Sequence, residues 1–231
     1  MYIVTGVSRG LGKAIVENLL STNERVIGIG RTSSFEHNNY TFLQCDLSHP
    51  EQVQNLVIDP PLEPITLINN AGILGEIKRI SSQKVLSFEE TFQVNTITPM
   101  VLANNIYRQI KDKNSFTLVN ISSGAAHKPI PSWAGYCASK AALNRLTETF
   151  FLEEQELGNT PRVLIVAPGV IDTDMQHQIR SSSQSDFSSV ENFKQMKENN
   201  QLFSPKEAAN LLVKLLKDKN KSDLSVDLRN R

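Results

Sequence analysis

The chain has 231 residues, 39% of them hydrophobic and 21% charged, with 24 basic side chains against 24 acidic ones. That length suits one α/β domain spanning residues 1–231, and the charge balance leaves no net field to draw nucleic acid or an acidic membrane surface. No apolar run approaches the roughly 20 residues needed to cross a bilayer, and Met1 leads straight into a strand-like segment, so a cytoplasmic protein without a signal peptide is expected.

In chain order, residues 1–5 read as a short β-branched strand and residues 11–20 have helical periodicity. Between them lies Thr5-Gly-Val-Ser-Arg-Gly-Leu-Gly12. Gly6, Gly10 and Gly12 allow a sharp turn and close packing of helix on strand, and a helix N-terminus with Ser8, Arg9 and Leu11 around it offers free N–H groups to a pyrophosphate. The spacing is GxxxGxG rather than GxGxxG, which itself narrows the family. A second strand is predicted near 25–29. At its end, where an acidic residue would grip the ribose 2′-hydroxyl of NAD, stands Arg31. Its guanidinium and that of Arg9 suit a 2′-phosphate, so NADP(H) is the expected cofactor.

Further strands are expected near 41–44, 64–68, 115–120, 162–167 and 224–227, with helices filling most gaps. Strands alternating with helices predict a doubly wound, mostly parallel seven-stranded sheet of Rossmann type, covered on both faces. The strand near 115–120 delivers Ser123 at its carboxyl end, where such sheets bind ligands. Tyr136 and Lys140 follow, four residues apart in Tyr-Cys-Ala-Ser-Lys, hence on one face of a helix. A nearby ammonium favours the phenolate, so this spacing predicts Tyr136 as a general acid with its pKa lowered by Lys140. Taken alone, Tyr and Lys at this spacing are far more often an ordinary surface pair; the rest of the chain changes that reading.

Cys45 and Cys137 offer neither a disulfide framework nor metal-ligand spacing, and His37, His49, His127 and His177 form no helical pair, so no metal is expected. The polar run at residues 181–186 reads as a mobile loop. One expectation is that residues 176–200 form a lid, with Met175, Phe187 and Met196 giving apolar contacts and His177 a candidate for the pocket. The other is a surface helix pair with its Met and Phe side chains turned to the core. Trp133, Phe187 and Met175 would suit an aromatic or apolar carbonyl.

The set Thr5 to Gly12, Asn69-Asn-Ala-Gly72, Asn95, Ser123, Tyr136-xxx-Lys140 and Pro168-Gly169 resembles the short-chain dehydrogenase/reductase family over nearly the whole chain. Within it, residues 133–142 and 167–175 are similar to sepiapterin reductases, and residues 172–180 with Phe203-Ser-Pro205 to bacterial benzil reductases that form (S)-benzoin. The resemblance implies that Tyr136 protonates the substrate carbonyl as NADPH delivers hydride, with Ser123 hydrogen-bonding the same oxygen. The family's usual gap to the tyrosine selects Ser123 over Ser122. Lys140 would also bind the nicotinamide ribose, and Asn95 would hold a water in the proton relay. Asp46 and Leu47 would lie beside the adenine, Asn70, Ala71 and Gly72 under its ribose, and Ile171 and Thr173 would meet the carboxamide after Pro168-Gly169. Asp227 matches a pterin-anchoring aspartate, although Leu228 and Arg229 replace the aromatic residues that follow it in the pterin enzymes. The resemblance also implies a homodimer through the helices after Asn95 and around Tyr136.

Two other classes share parts of this pattern. Nucleotide-sugar epimerases and dehydratases usually append a larger C-terminal substrate domain than this length allows. A non-catalytic NADP-binding sensor would not need Ser123, Tyr136, Lys140 and Asn95 together.

Overall fold

Apolar, β-branched runs become strands wherever both faces can be covered, and seven do so among the described residues, 1–59, 64–218 and 223–230 of a computed structural model. They are β1 (Tyr2–Thr5), β2 (Val26–Gly30), β3 (Tyr40–Gln44), β4 (Ile65–Asn69), β5 (Phe116–Ile121), β6 (Arg162–Ala167) and β7 (Ser225–Asp227). Every pairing is parallel, in the order β3-β2-β1-β4-β5-β6-β7. The chain leaves β3 and returns as β4 on the far side of β1, which puts the topological switch point between β1 and β4.

Alternation along the strands builds two cores. Val4, Ile68, Val119 and Val166 pack with Leu11, Ile15 and Leu19 of α1 (Gly10–Ser21) and with Leu212 and Leu216 of α8 (Pro205–Lys217). Ile3, Leu67 and Leu118, one residue out of phase, pack with Leu102 and Ile106 of α4 (Thr98–Gln109). The start of α8 is set by a capping box: Ser204 accepts from the Glu207 amide and the Glu207 carboxylate accepts from the Ser204 amide, with Pro205 at the first helical position.

Between α2 (Pro50–Gln54) and α4, α3 (Val85–Phe92) runs into α4 through a π-turn, Gln93–Ile97, which contains Asn95. The long α5 (Ala134–Glu156) carries Tyr136 and Lys140 on its buried side. After β6 the chain makes an excursion through α6 (Asp174–Arg180) and α7 (Val190–Glu198), whose buried Ile179 and the buried Phe187 and Val190 pack with Leu74, Ala125 and Trp133 beyond the carboxyl ends of β4 and β5. Its two ends meet where Ile171 bridges Phe203. Residues 181–186 are tied down by the Ser132 hydroxyl, which donates to the Asp186 carbonyl at 2.5 Å, and by Ser183, which donates to the Asp186 carboxylate at 2.8 Å. Among the described residues, no helix is long and apolar enough to cross a membrane.

Candidate active site

The carboxyl ends of β1, β2, β4, β5 and β6 open into one cavity of about 710 Å³. At its β1 end the glycine turn is forced by close approach. Gly6 and Gly10 have φ of +73° and +57°, a region that side chains rarely adopt. A Cβ on Gly12 would lie 2.2 Å from the Gly6 carbonyl oxygen and 2.4 Å from Asn70 Nδ2. Asn70 Nδ2 donates to the Thr5 carbonyl at 2.9 Å, and Thr5 Oγ1 accepts from the Asn70 and Ala71 amides at 3.0 Å. The turn after β1 and the segment after β4 are therefore one unit. No side chain caps the first turn of α1, and Ser8, Arg9, Gly10 and Leu11 line the cavity there.

Arg31, Asp46 and Leu47 line the same end from β2 and β3. Burial pushes the Asp46 carboxyl up, but hydrogen bonds from Ser48 and the charge of Arg31 outweigh it and hold it below its usual value. Arg9 reaches across the cleft to Asp174, 2.8 Å away, with both side chains largely exposed.

The central wall is built from β5 and α5. Ser122 and Ser123 both line the cavity, but the Ser122 hydroxyl is engaged with Asn144 Oδ1 at 2.5 Å, whereas Ser123 Oγ accepts from the Ala125 amide at 3.1 Å and hydrogen-bonds Tyr136. Lys140 Nζ donates to the Ile121 carbonyl at 2.8 Å, and burial pulls the ammonium down to about 8. The phenol departs from expectation. Burial raises the Tyr136 pKa, its hydrogen bond with Ser123 opposes this, and no lowering by Lys140 overcomes the desolvation. Asn95 spends its side chain on structure: Oδ1 accepts from the Ile73 amide at 2.9 Å, and Nδ2 donates to the Ile73 carbonyl at 2.8 Å and to Ser139 Oγ at 3.0 Å. The π-turn around it closes with the Thr98 amide donating to the Gln93 carbonyl, a break in the helical ladder of the kind often found at functional sites.

The far end is apolar. Trp133 and Met175 line it with Leu74, Val94, Ile130, Ile179 and Phe193. Phe187, expected at the substrate, instead lies fully buried behind Trp133, its ring stacked at 5.3 Å. Neither Met196 nor the exposed His177 is on the cavity wall. Asp227 is not there either: its carboxylate is paired with Arg229, and Arg229 lines the cavity in its place, beside Gly169. Pro168, Gly169, Ile171 and Thr173 line the middle of the cleft.

The family profile described as "short chain dehydrogenase" matches residues 1–184. The chain belongs to the short-chain dehydrogenase family. A benzil reductase ((S)-benzoin forming) from Bacillus subtilis is 35% identical over 225 residues, covering 94% of this chain and 93% of that protein. A sepiapterin reductase from Bos taurus is 32% identical, covering 79% of this chain and 65% of its own. Among solved structures, a Saccharomyces cerevisiae short chain dehydrogenase/reductase superposes with a TM-score of 0.83 at 27% identity, over 98% of this chain and 95% of that one.

As a member of this family the chain is an oxidoreductase that uses a nicotinamide dinucleotide and acts on a small molecule. The residues present fit that group: Gly12 leaves no room for a Cβ, and the uncapped start of α1 leaves N–H groups for phosphate. Leu74, Val94, Ile179, Phe193 and Arg229 were not singled out from the sequence as pocket residues.

Proposed function

We propose that this enzyme is an NADPH-dependent carbonyl reductase whose substrates are aromatic or apolar α-diketones, with benzil reduced to (S)-benzoin. The observation that carries the reading is one cavity lined by Ser123, Tyr136 and Lys140 at its centre and by Trp133, Phe193, Ile179 and Leu74 beyond them. When bound, the nicotinamide supplies hydride to the carbonyl carbon. Ser123 holds the carbonyl oxygen by a hydrogen bond, and Tyr136 gives that oxygen its proton. The Lys140 ammonium, poised at about 8, sits one helical turn from the phenol and favours its deprotonated form once the proton has left. Asn95 fixes the Ile73 backbone and so positions the wall facing Tyr136. Arg31 and Arg9 would take the 2′-phosphate. A pterin ketone is disfavoured because Asp227 is already engaged by Arg229.

Consumption of NADPH and NADH with benzil, followed by separation of the hydroxyketone on a chiral column, tests this. Preference for NADPH with one benzoin enantiomer in excess is expected; cofactor binding without reduction of any diketone would instead favour a sensor. We further propose a homodimer through α4 and α5, with Ile97 exposed at the end of the π-turn that leads into α4 and Leu146 and Leu152 exposed on α5. Sedimentation showing only a 25.8 kDa species at micromolar concentration would contradict it.

A further inference from the structure

On α6, Gln176 and Ile179 stand three residues apart and share the buried face, whereas His177 and Gln178 between them are exposed. Glutamine is a costly side chain for such a face, because its two N–H donors and its carbonyl oxygen all need partners once water is excluded. Gln176 is nevertheless only 2% exposed. Its amide is oriented by Arg180, whose Nη1 donates to Oε1 at 3.1 Å. A guanidinium has donors and no acceptor, so the amide oxygen must face it and Nε2 must point the other way. Arg180 is held in turn by Asp172 Oδ1 at 3.4 Å. Nε2 makes no hydrogen bond to any described residue, yet it is not shut off from solvent. Gln176 lines the cavity, so the little surface this nitrogen shows belongs to the cavity wall.

The part of the cavity it faces is the substrate end. Met175 and Ile179, its neighbours on α6, pack in the apolar cluster that contains Tyr136, Trp133 and Leu74. The phosphate end is met by a different side of the helix, where the exposed Asp174 takes Arg9. A donor left without an acceptor beside Met175 and Ile179 costs stability, and its retention calls for an explanation that an incoming oxygen supplies.

We infer that Gln176 Nε2 is the donor that holds the second carbonyl oxygen of a vicinal dicarbonyl substrate, which makes Gln176 a specificity-determining residue. This rests on the α-diketone reading above. Ser123 and Tyr136 hold the oxygen of the carbonyl being reduced. The other carbonyl is one carbon–carbon bond away, and it is the group that separates a diketone from a simple ketone of the same size. A site with a buried donor rejects an analogue lacking the acceptor, because the donor is then left unpaired.

The test compares benzil with deoxybenzoin, which keeps both phenyl rings and one carbonyl, in two variants. Gln176→Glu keeps an acceptor for Arg180 and removes the donor; Gln176→Met removes both at nearly the same volume and carries the comparison alone should Gln176→Glu not fold. In each, kcat/KM for benzil should fall about 10-fold or more, the size expected when a buried hydrogen bond is lost, while that for deoxybenzoin and the dissociation constant for NADPH change less than about 2-fold. Where deoxybenzoin is turned over too slowly to follow, its inhibition constant against benzil takes the place of kcat/KM. A residue that merely props Arg180 would give equal losses for the two ketones in Gln176→Met and none in Gln176→Glu, and either pattern overturns the assignment. So does a loss of NADPH affinity matching the loss with benzil, which would give the amide to the cofactor. Absence of benzil turnover by the wild type is a different result: it removes the diketone reading and the assigned acceptor with it.

Discussion

The two ends of the cavity are built by different physics. At the β1 end, position is dictated by backbone touching backbone: Gly6 against Ala71, Gly12 against the Gly6 carbonyl, and the Thr5 and Asn70 side chains tying two strand ends together. At the far end, position depends on side chains of the α6–α7 excursion, held by the aromatic stack on Trp133 and by Asp172, whose carboxylate takes Lys197 at 2.5 Å and Arg180 at 3.4 Å. The first kind of contact tolerates no added atom. The second can be repacked, which is how one scaffold serves many substrates.

The sharpest way to break the comparison is Gly12→Ala. Its methyl group would meet main chain at 2.2 Å, whereas Gly124→Ala, also beside the cavity, meets nothing within 4 Å. Gly12→Ala should cost about 3 kcal/mol of stability and most of the cofactor affinity, and Gly124→Ala less than about 0.5 kcal/mol. Denaturant titration and cofactor titration check both; equal effects would dissolve the distinction between the two ends.

Next in size is the buried ammonium between them. Below pH 8 the folded and unfolded chains both hold the Lys140 proton, and the cost of burying the charge is felt in full. Between about 8 and 10.5 the folded protein has released the proton and the unfolded chain has not, so this group makes stability rise with pH in that window, by about 3 kcal/mol. In Lys140→Met that rise should be missing, as unfolding free energies measured across the window would reveal. Reduction by the wild type should also slow as pH climbs through about 8, because the charge that favours the phenolate is lost.

The smallest effect belongs to the far end. Lys197, by its hydrogen bond, holds the Asp172 carboxyl below its usual value, with Arg180 adding to this. Asp172→Asn should loosen α6 and α7, costing about 1 kcal/mol and raising KM for the carbonyl substrate several-fold while leaving cofactor affinity unchanged. A matching loss of cofactor affinity in binding titrations would mean the two ends are not separable.

The same contrast explains what could be read from the amino-acid order. Each strand lies within one residue of its expected place, because each is a short apolar run bounded by turn residues. The glycine turn and Tyr136 with Lys140 were legible because their chemistry demands a fixed local spacing. Phe193 and Arg229 were not, since only tertiary packing, of Phe193 on Trp133 and of Arg229 beside Gly169, brings them to the cavity. Phe187 was placed one layer too close to the substrate: periodicity marks an inward face but not which inward side chain stands in front. The Tyr136 pKa went the other way for a comparable reason, because spacing shows the ammonium and conceals the burial.

Whether Tyr136 is the proton donor to the reduced carbonyl is decided by Tyr136→Phe, assayed for NADPH oxidation with benzil alongside NADPH binding. Binding should stay intact with kcat lowered by about 10² to 10⁴-fold, the usual weight of a positioned acid. Turnover within a few-fold of wild type would contradict it.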